Sequence, residues 1–448
     1  MENVYNYLNK SFKCKCGREH TIPIKEVLIE EGALKQVPAV ISELTEKKVI
    51  NIICDKNTHE AAGARLNDHL TEKDFATNII ILPAPEEKKV EPNTDYLFQI
   101  MEQVSPEGYI LACGSGTIND LTKYVSFKMS KPYSVVATAP SMDGYSSPVS
   151  PITAFGVKGT YHAQSPEAII GDLDVLTAAP EKMIRSGLGD MLGKISSQLD
   201  WRLSNILFEE YYCPVVGEML LEELAVLMDL NLDLNGPDRK KAVEILFHGL
   251  IKSGLAMLMV DTSRPASGTE HHVAHFLEMY SVMYDRNITG HGLNVGMGEY
   301  FAARYYLRLQ DLDFSQLKVE NNREERTKNI KKYYKDRADF ALKNLDQRFK
   351  KTRVDEKKLH SKEREIKNLI AEYRPFLNKI EHKLLETRIL SREYLGKIPE
   401  DWLIKAVKYG FEIRTRFTAA VLLKQLGLLD DWVDEFFEDF KLLTDDDK

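Results

Sequence analysis

Between residues 48 and 140, short apolar runs alternate with amphipathic ones. Val49-Ile50-Asn51-Ile52-Ile53-Cys54 is rich in β-branched residues and stops at Asp55, the pattern of a buried strand. The next stretch carries Ala61, Ala62, Ala64 and Leu66 and predicts a helix over 58–69. Asn78-Ile79-Ile80-Ile81-Leu82 is a second buried strand, closed by Pro83 and Pro85. A helix over 96–104, a strand over 109–112, a helix over 117–128 and a strand over 134–137 follow. This rhythm predicts a mostly parallel sheet with helices on both faces. After Pro180, strand-like runs vanish and helical periodicity governs, as at 219–230, 240–259 and 402–426. The expected organisation is an α/β domain over 1–178 followed by an all-helical domain over 179–448.

Composition narrows the classes. A chain of 448 residues is long enough for two or three domains and a large apolar core. Its 60 Lys and Arg against 68 Asp and Glu leave a net charge of −8, which offers no general footing for nucleic acid. No apolar run approaches the ~20 residues of a membrane span, and the N-terminus has no basic segment followed by an apolar one. Five cysteines read as reduced thiols in a cytoplasmic protein. The Lys-, Arg- and Glu-rich stretch 319–370 reads as solvated helical faces with opposite charges one turn apart. The acidic tail 430–448, with Trp432, Phe436, Phe437 and Phe440 between its acids, predicts an amphipathic helix docked on its own domain or a partner subunit. It is expected to fray at Asp445-Asp446-Asp447.

Three segments concentrate chemistry. Cys113-Gly114-Ser115-Gly116-Thr117-Ile118 follows a strand and opens a helix, where glycines let the backbone approach a diphosphate and free N–H groups favour its charge. Asp55, ending an earlier strand, is placed either to accept from a nucleotide ribose or to cap the helix that follows. Thr138-Ala139-Pro140-Ser141-Met142-Asp143-Gly144-Tyr145-Ser146-Ser147 has the composition of a generic loop and equally that of a loop lining a ligand cleft. The third segment is the most specific. Gly187-Leu188-Gly189-Asp190 precedes a helix; far downstream come Glu270-His271-His272-Val273-Ala274-His275 and then His291-Gly292. On a helix His271 and His275 share one face. Imidazoles joined to one carboxylate make a borderline site for a divalent ion such as Zn²⁺, with a position open to a substrate oxygen. Cys14-Lys15-Cys16-Gly17-Arg18-Glu19-His20, by contrast, falls short of the four ligands of a structural zinc and reads as a hairpin turn at Gly17.

Taken together, these motifs resemble the sn-glycerol-1-phosphate dehydrogenases, bacterial branch, of the dehydroquinate synthase-like and iron-containing alcohol dehydrogenase-like superfamily. The resemblance spans about residues 10–310. It implies a Rossmann-like nucleotide-binding domain, a helical metal- and substrate-binding domain, and an active site in the cleft between them. It also implies reversible, metal-dependent reduction of dihydroxyacetone phosphate by NADH or NADPH to sn-glycerol 1-phosphate, for phospholipid-type glycerophosphate, in a cytoplasmic homodimer. Carried over by position, Asp190, His271 and His291 are the metal ligands, for zinc or nickel. Asp143, Asp190 and His275 contact substrate, and Asp190 and His275 serve catalysis. Asp55, Gly114, Ser115, Gly116, Thr117, Ile118, Thr138, Ala139, Pro140, Ser141 and Ser147 hold the nucleotide. Cys113 departs from the glycine that many relatives have there. Arg264 and Lys194 are candidate donors to the substrate phosphate. The alternative is another polyol dehydrogenase or a dehydroquinate synthase-like cyclase; Asp at 190 argues against the cyclase.

Overall fold

The computed structural model describes residues 3–84, 89–154, 157–230, 234 and 236–445. The chain forms two compact units: Met1–Gly187 with Glu218–Leu220 and Leu230–Thr262, and Leu188–Gly217 with Leu221–Asp229 and Ser263–Lys448. Its strands are β1 Lys10–Lys13, β2 Glu19–Ile22, β3 Glu26–Glu30, β4 Val49–Asp55, β5 Ala76–Leu82, β6 Tyr109–Gly114, β7 Tyr133–Ala137, β8 Val149–Ala154, β9 Val157–His162 and β10 Ala168–Asp172. The helices used below are α1 Gly116–Lys128, α2 Glu181–Leu192, α3 Lys194–Phe208, α4 Arg239–Val260, α5 Thr269–Met283, α6 His291–Gln310 and α7 Leu429–Asp445.

The first unit is built on a six-stranded sheet in the order β3-β10-β7-β6-β4-β5. All five pairings are parallel. The four expected strands are β4, β5, β6 and β7; the expected closure at Pro85 lies outside the described residues. Every residue of β6 and β7 is buried, which is why both read as apolar runs broken only by Ser134. Asn51 is the polar exception inside β4. Its Oδ1 accepts from the Ser105 N–H (2.8 Å) and from Asn78 Nδ2 (2.9 Å), so burial leaves that oxygen satisfied. Two antiparallel hairpins, β1–β2 and β8–β9, stand apart from the sheet. Helix α4 is long and apolar enough to cross a bilayer by length and composition, yet 72% of that window is buried. Phe247 of α4 lies so close to Gly171 of β10 that an added Cβ would meet it at 2.4 Å.

In the second unit no strand is found among the described residues, as the periodicity after Pro180 predicts. The apolar pattern over 402–426 is not one helix, however. It breaks into Glu400–Tyr409, a 3₁₀ turn at Gly410–Ile413, and Ala419–Gln425. Gly410 explains the break: a Cβ there would sit 2.7 Å from the His272 carbonyl oxygen, so the chain turns where it crosses α5. The charged segment is helical, and not all of it is solvated. Arg326 and Arg348 are buried and share Glu412, with Nε–Oε1 at 2.7 Å and Nη1–Oε2 at 2.8 Å respectively. The tail forms α7, whose Trp432, Phe436, Phe437 and Phe440 are buried. Phe437 stacks on Phe301 of α6 (5.9 Å), so the tail docks within its own unit. The expected fraying at Asp446 and Asp447 lies outside the described residues.

Candidate active site

Glycines set the geometry of the second unit's polar centre. Gly189 of α2 lies against Gly292 of α6 so closely that a Cβ would meet the Gly292 carbonyl oxygen at 2.2 Å. Gly193 is pressed in the same way against Val295 and Glu270 (2.5 and 2.9 Å). Because the backbones touch at 189 and 292, the adjacent Asp190 and His291 are brought side by side. Replacing Gly189 with Ala should therefore overpack this seam, costing about 1–3 kcal/mol and separating Asp190 from His291. Differential scanning calorimetry and metal analysis should show a lower unfolding midpoint together with lost metal; an unchanged midpoint with full metal would refute the argument.

Asp190, His271 and His291 each offer a ligand atom, all within 4.8 Å of one another. His271 Nε2 is 3.5 Å from Asp190 Oδ1. The other nitrogens are spoken for. His271 Nδ1 donates to Glu270 Oε1 (2.7 Å), and His291 Nδ1 donates to Glu278 Oε1 (2.5 Å). A carboxylate on Nδ1 fixes the tautomer, presents Nε2 as a ligand and raises its basicity, the usual support for a metal-binding imidazole. Burial opposes the charge of Asp190, but Lys194, then His271 and His291, hold its carboxyl well below the usual range. Burial lowers the pKa of His271, yet Asp190 and Glu270 raise it overall, so the donor set favours positive charge at this imidazole. This donor set fits a divalent ion.

His275 follows one turn later on α5, its ring 5.8 Å from His271 and 5.7 Å from His291. Burial, then Arg414, keeps its pKa well below the ordinary value, so it is a neutral imidazole. Its Nδ1 is buried without a hydrogen-bond partner. His272 points elsewhere on the helix and is fully buried near the Gly410 turn. Glu270 and Glu278 escape a reading of the sequence, although Glu270 adjoins His271 and Glu278 follows His275 by three residues. Glu270 is buried and also accepts from the Gly268 N–H (2.8 Å) and Ser196 Oγ (2.7 Å). The two cations suggested for a substrate phosphate are engaged elsewhere. Lys194 Nζ donates to Asp190 Oδ1 (2.7 Å) and Ala266 O (3.1 Å). Arg264 grips Glu210 with two bonds (2.8 and 2.6 Å) and reaches Phe417 O (3.0 Å).

The nucleotide candidates lie in the first unit, at the carboxyl ends of β4, β6 and β7. Ser115 precedes α1 in extended conformation, so the N–H groups of Gly116, Thr117 and Ile118 open the helix. Gly114 is required by close packing: a Cβ would fall 2.5 Å from Ile118 Cβ. Cys113 is fully buried beneath this turn and its small side chain fits. Thr138, Ala139 and Pro140 leave β7, and the Thr138 N–H donates to Gly114 O (3.2 Å). The rest of this loop is held from beneath. Buried Lys123 donates to Val149 O (3.1 Å) and Gly144 O (2.6 Å) and reaches Ser147 Oγ (3.4 Å), an anchor that the sequence did not reveal. Ser141 is half-buried in the loop. Asp143 Oδ2 accepts from Ser253 Oγ (2.8 Å). Asp55 caps the next helix through Oδ1, which accepts from the Thr58 N–H (2.8 Å), leaving Oδ2.

Known proteins resemble this chain in sequence and in fold. A family profile described as iron-containing alcohol dehydrogenase matches residues 28–180. A Bacillus subtilis protein named glycerol-1-phosphate dehydrogenase (NAD(P)+) is 34% identical over 298 residues, 66% of this chain and 75% of that one. Its namesake in Halalkalibacterium halodurans is 35% identical over 67% of this chain and 77% of its own. One from Sulfolobus acidocaldarius is 31% identical over 63% and 77%. Among solved structures, a 1,3-propanediol oxidoreductase superposes with a TM-score of 0.62 at 14% identity, covering 93% of this chain and 98% of that one. A glycerol dehydrogenase from Schizosaccharomyces pombe gives 0.59 at 16% identity over 93% and 91%. These two likenesses establish the fold.

Proposed function

The chain belongs to the glycerol-1-phosphate dehydrogenase family, and from that premise we propose that it reduces dihydroxyacetone phosphate reversibly to sn-glycerol 1-phosphate with NADH or NADPH. The observation that carries the reading is the convergence of Asp190, His271 and His291, with each imidazole backed by its own carboxylate. In this reading Asp190, His271 and His291 hold one divalent ion, zinc or nickel. When bound, the ion supplies Lewis-acid stabilisation of the charge that grows on the ketone oxygen, and the nicotinamide supplies the hydride. The chain's own residues do the rest. Lys194 keeps Asp190 ionised, and Glu270 and Glu278 orient the two imidazoles. His275, neutral and with an unpartnered Nδ1, is the group we assign to relay a proton to the nascent alcohol. The Gly114–Ile118 turn and the Thr138–Ser147 loop bind the dinucleotide, and Asp143 contacts substrate. The polyol dehydrogenase and cyclase alternatives are not favoured by the names of the curated relatives. A homodimer in the cytoplasm belongs to the same proposal, and sedimentation of the purified chain tests the dimer.

The direct test is oxidation of NADH and NADPH by the metal-loaded protein with dihydroxyacetone phosphate, followed by chiral analysis of the product. The sn-glycerol 1-phosphate enantiomer is expected; the 3-phosphate enantiomer would overturn the reading. Cofactor choice supplies a second test. NADH should serve at least as well as NADPH, because an acid at the end of β4 repels a 2′-phosphate and accepts from ribose hydroxyls. Asp55→Ser isolates that charge, since serine can still cap the helix at Thr58. It should shift the NADH-to-NADPH ratio of kcat/KM about tenfold towards NADPH, equivalent to ~1.4 kcal/mol. A wild-type enzyme with a strong NADPH preference would displace Asp55 from the ribose.

A further inference from the structure

The hairpin β1–β2 carries donors that the dehydrogenase reaction does not use. We propose that Cys14, Cys16 and His20 form a second, structural metal site, for a borderline-soft divalent ion of which Zn²⁺ is the best match. The turn at 14–18 is wound for it. The Cys14 N–H donates to Arg18 O (2.9 Å), the Gly17 N–H donates to Cys14 O (3.0 Å), and Gly17 takes a left-handed φ of +87° that a side chain would strain. That winding folds Cys16 back on Cys14, whose sulfur accepts from the Cys16 N–H (3.5 Å). Both sulfurs and a ring nitrogen of His20 fall within 4.8 Å of one another.

His20 is the deciding residue. It is 1% exposed, and its Nδ1 lies 2.6 Å from the carbonyl oxygen of Met259 on α4. A carbonyl can only accept, so the ring proton sits on Nδ1 and Nε2 presents its lone pair. Nε2 faces Cys16 Sγ at 3.4 Å. Zinc bonds of ~2.3 Å to sulfur and ~2.0–2.1 Å to nitrogen at a tetrahedral angle place those two atoms about 3.6 Å apart. Nδ1 held by a backbone carbonyl with Nε2 turned to the ligand cluster is the support a metal-bound imidazole normally has. A bare thiol–imidazole hydrogen bond would account for Cys16 but not for the second sulfur gathered at the same point. Two sulfurs and one imidazole exclude Ca²⁺ and Mg²⁺, which take oxygen ligands. Loading exchanges the two thiol protons for the ion, releases them to solvent and involves no oxidation; the tetrahedron keeps one position for a further donor. The ion would lock the hairpin to the carboxyl-terminal end of α4 through His20.

Cobalt tests the proposal on the whole, reduced chain. The Asp190, His271 and His291 set contains no sulfur, so a thiolate-to-cobalt charge-transfer band in the near ultraviolet reports the hairpin alone. Wild-type protein loaded with Co²⁺ should show that band. Cys14→Ser and Cys16→Ser should each lose most of it, and the zinc content of either variant should fall by about one equivalent per chain. No sulfur band in the cobalt-loaded wild type, which requires no variant to fold, would overturn the proposal. So would a band that survives in the Cys14→Ser, Cys16→Ser double variant. Neither readout involves turnover, so the result is independent of the dehydrogenase assignment.

Discussion

Stripping the metal with a chelator should abolish turnover and leave the far-ultraviolet circular dichroism nearly unchanged. Asp190, His271 and His291 come from α2, α5 and α6, elements already packed through their own apolar faces, and a core of this size does not depend on one ion for folding as a zinc finger does. Added Zn²⁺ or Ni²⁺ should restore activity. His271→Ala should lose metal and at least ~10³-fold in kcat/KM, the equivalent of ~4 kcal/mol of lost charge stabilisation. His275→Ala should keep the metal and lose ~10²–10⁴-fold in rate, as expected for a proton-transfer group. His272→Ala should change neither metal nor rate, since one residue along the helix turns its ring about 100° away from that of His271. Elemental analysis decides the matter. A His271→Ala variant that holds as much metal as the wild type, or a His275→Ala variant that holds one equivalent less, would overturn the assignment.

The residues proposed for those roles were legible in the chain, because histidines and an aspartate announce themselves by chemistry. Their supports were less so. Glu270 and Glu278 matter only because α5 and α6 bring His271 and His291 together, a fact that no local spacing carries. The same distinction runs through the fold. Strands β4 to β7 are mostly apolar in their middles, Asn51, Asn78 and Ser134 apart, and were readable from composition. Edge strand β3, Glu26-Val27-Leu28-Ile29-Glu30, begins and ends in exposed acids, and β10 is interrupted by Gly171, so neither has the unbroken apolar run that marks a central strand. The periodicity over 402–426 continued through Gly410 because hydrophobic spacing is blind to a crossing so close that a Cβ at 410 would sit 2.7 Å from the His272 carbonyl oxygen. Charge misled in a similar way. Arg326, Arg348, Lys194 and Arg264 look like solvent-facing or ligand-binding cations in one dimension, and each is buried on a carboxylate in three.

That last point reshapes what is expected of the substrate. Unphosphorylated dihydroxyacetone should be at least ~10³-fold poorer than dihydroxyacetone phosphate in kcat/KM, with kcat falling as well as affinity, because the phosphate provides remote binding energy that positions the carbonyl. Lys194 and Arg264 cannot supply that grip without abandoning Asp190 and Glu210, and leaving the fully buried Asp190 uncompensated would be costly. A further cation beside the histidine cluster is Arg414. It is half-buried, burial lowers its pKa while Glu278 raises it, and its charge is the largest after burial in depressing His275. A guanidinium there can meet a phosphate with two parallel hydrogen bonds. Arg414→Gln should then raise KM for the phosphorylated ketone strongly while leaving the already poor rate with dihydroxyacetone nearly untouched. The comparison forms a cycle: the loss belongs to the phosphate only if it disappears with the phosphate. Equal losses on both substrates would assign Arg414 to the Glu278 and His291 pair instead. Equal wild-type efficiency on the two ketones would point to a polyol dehydrogenase.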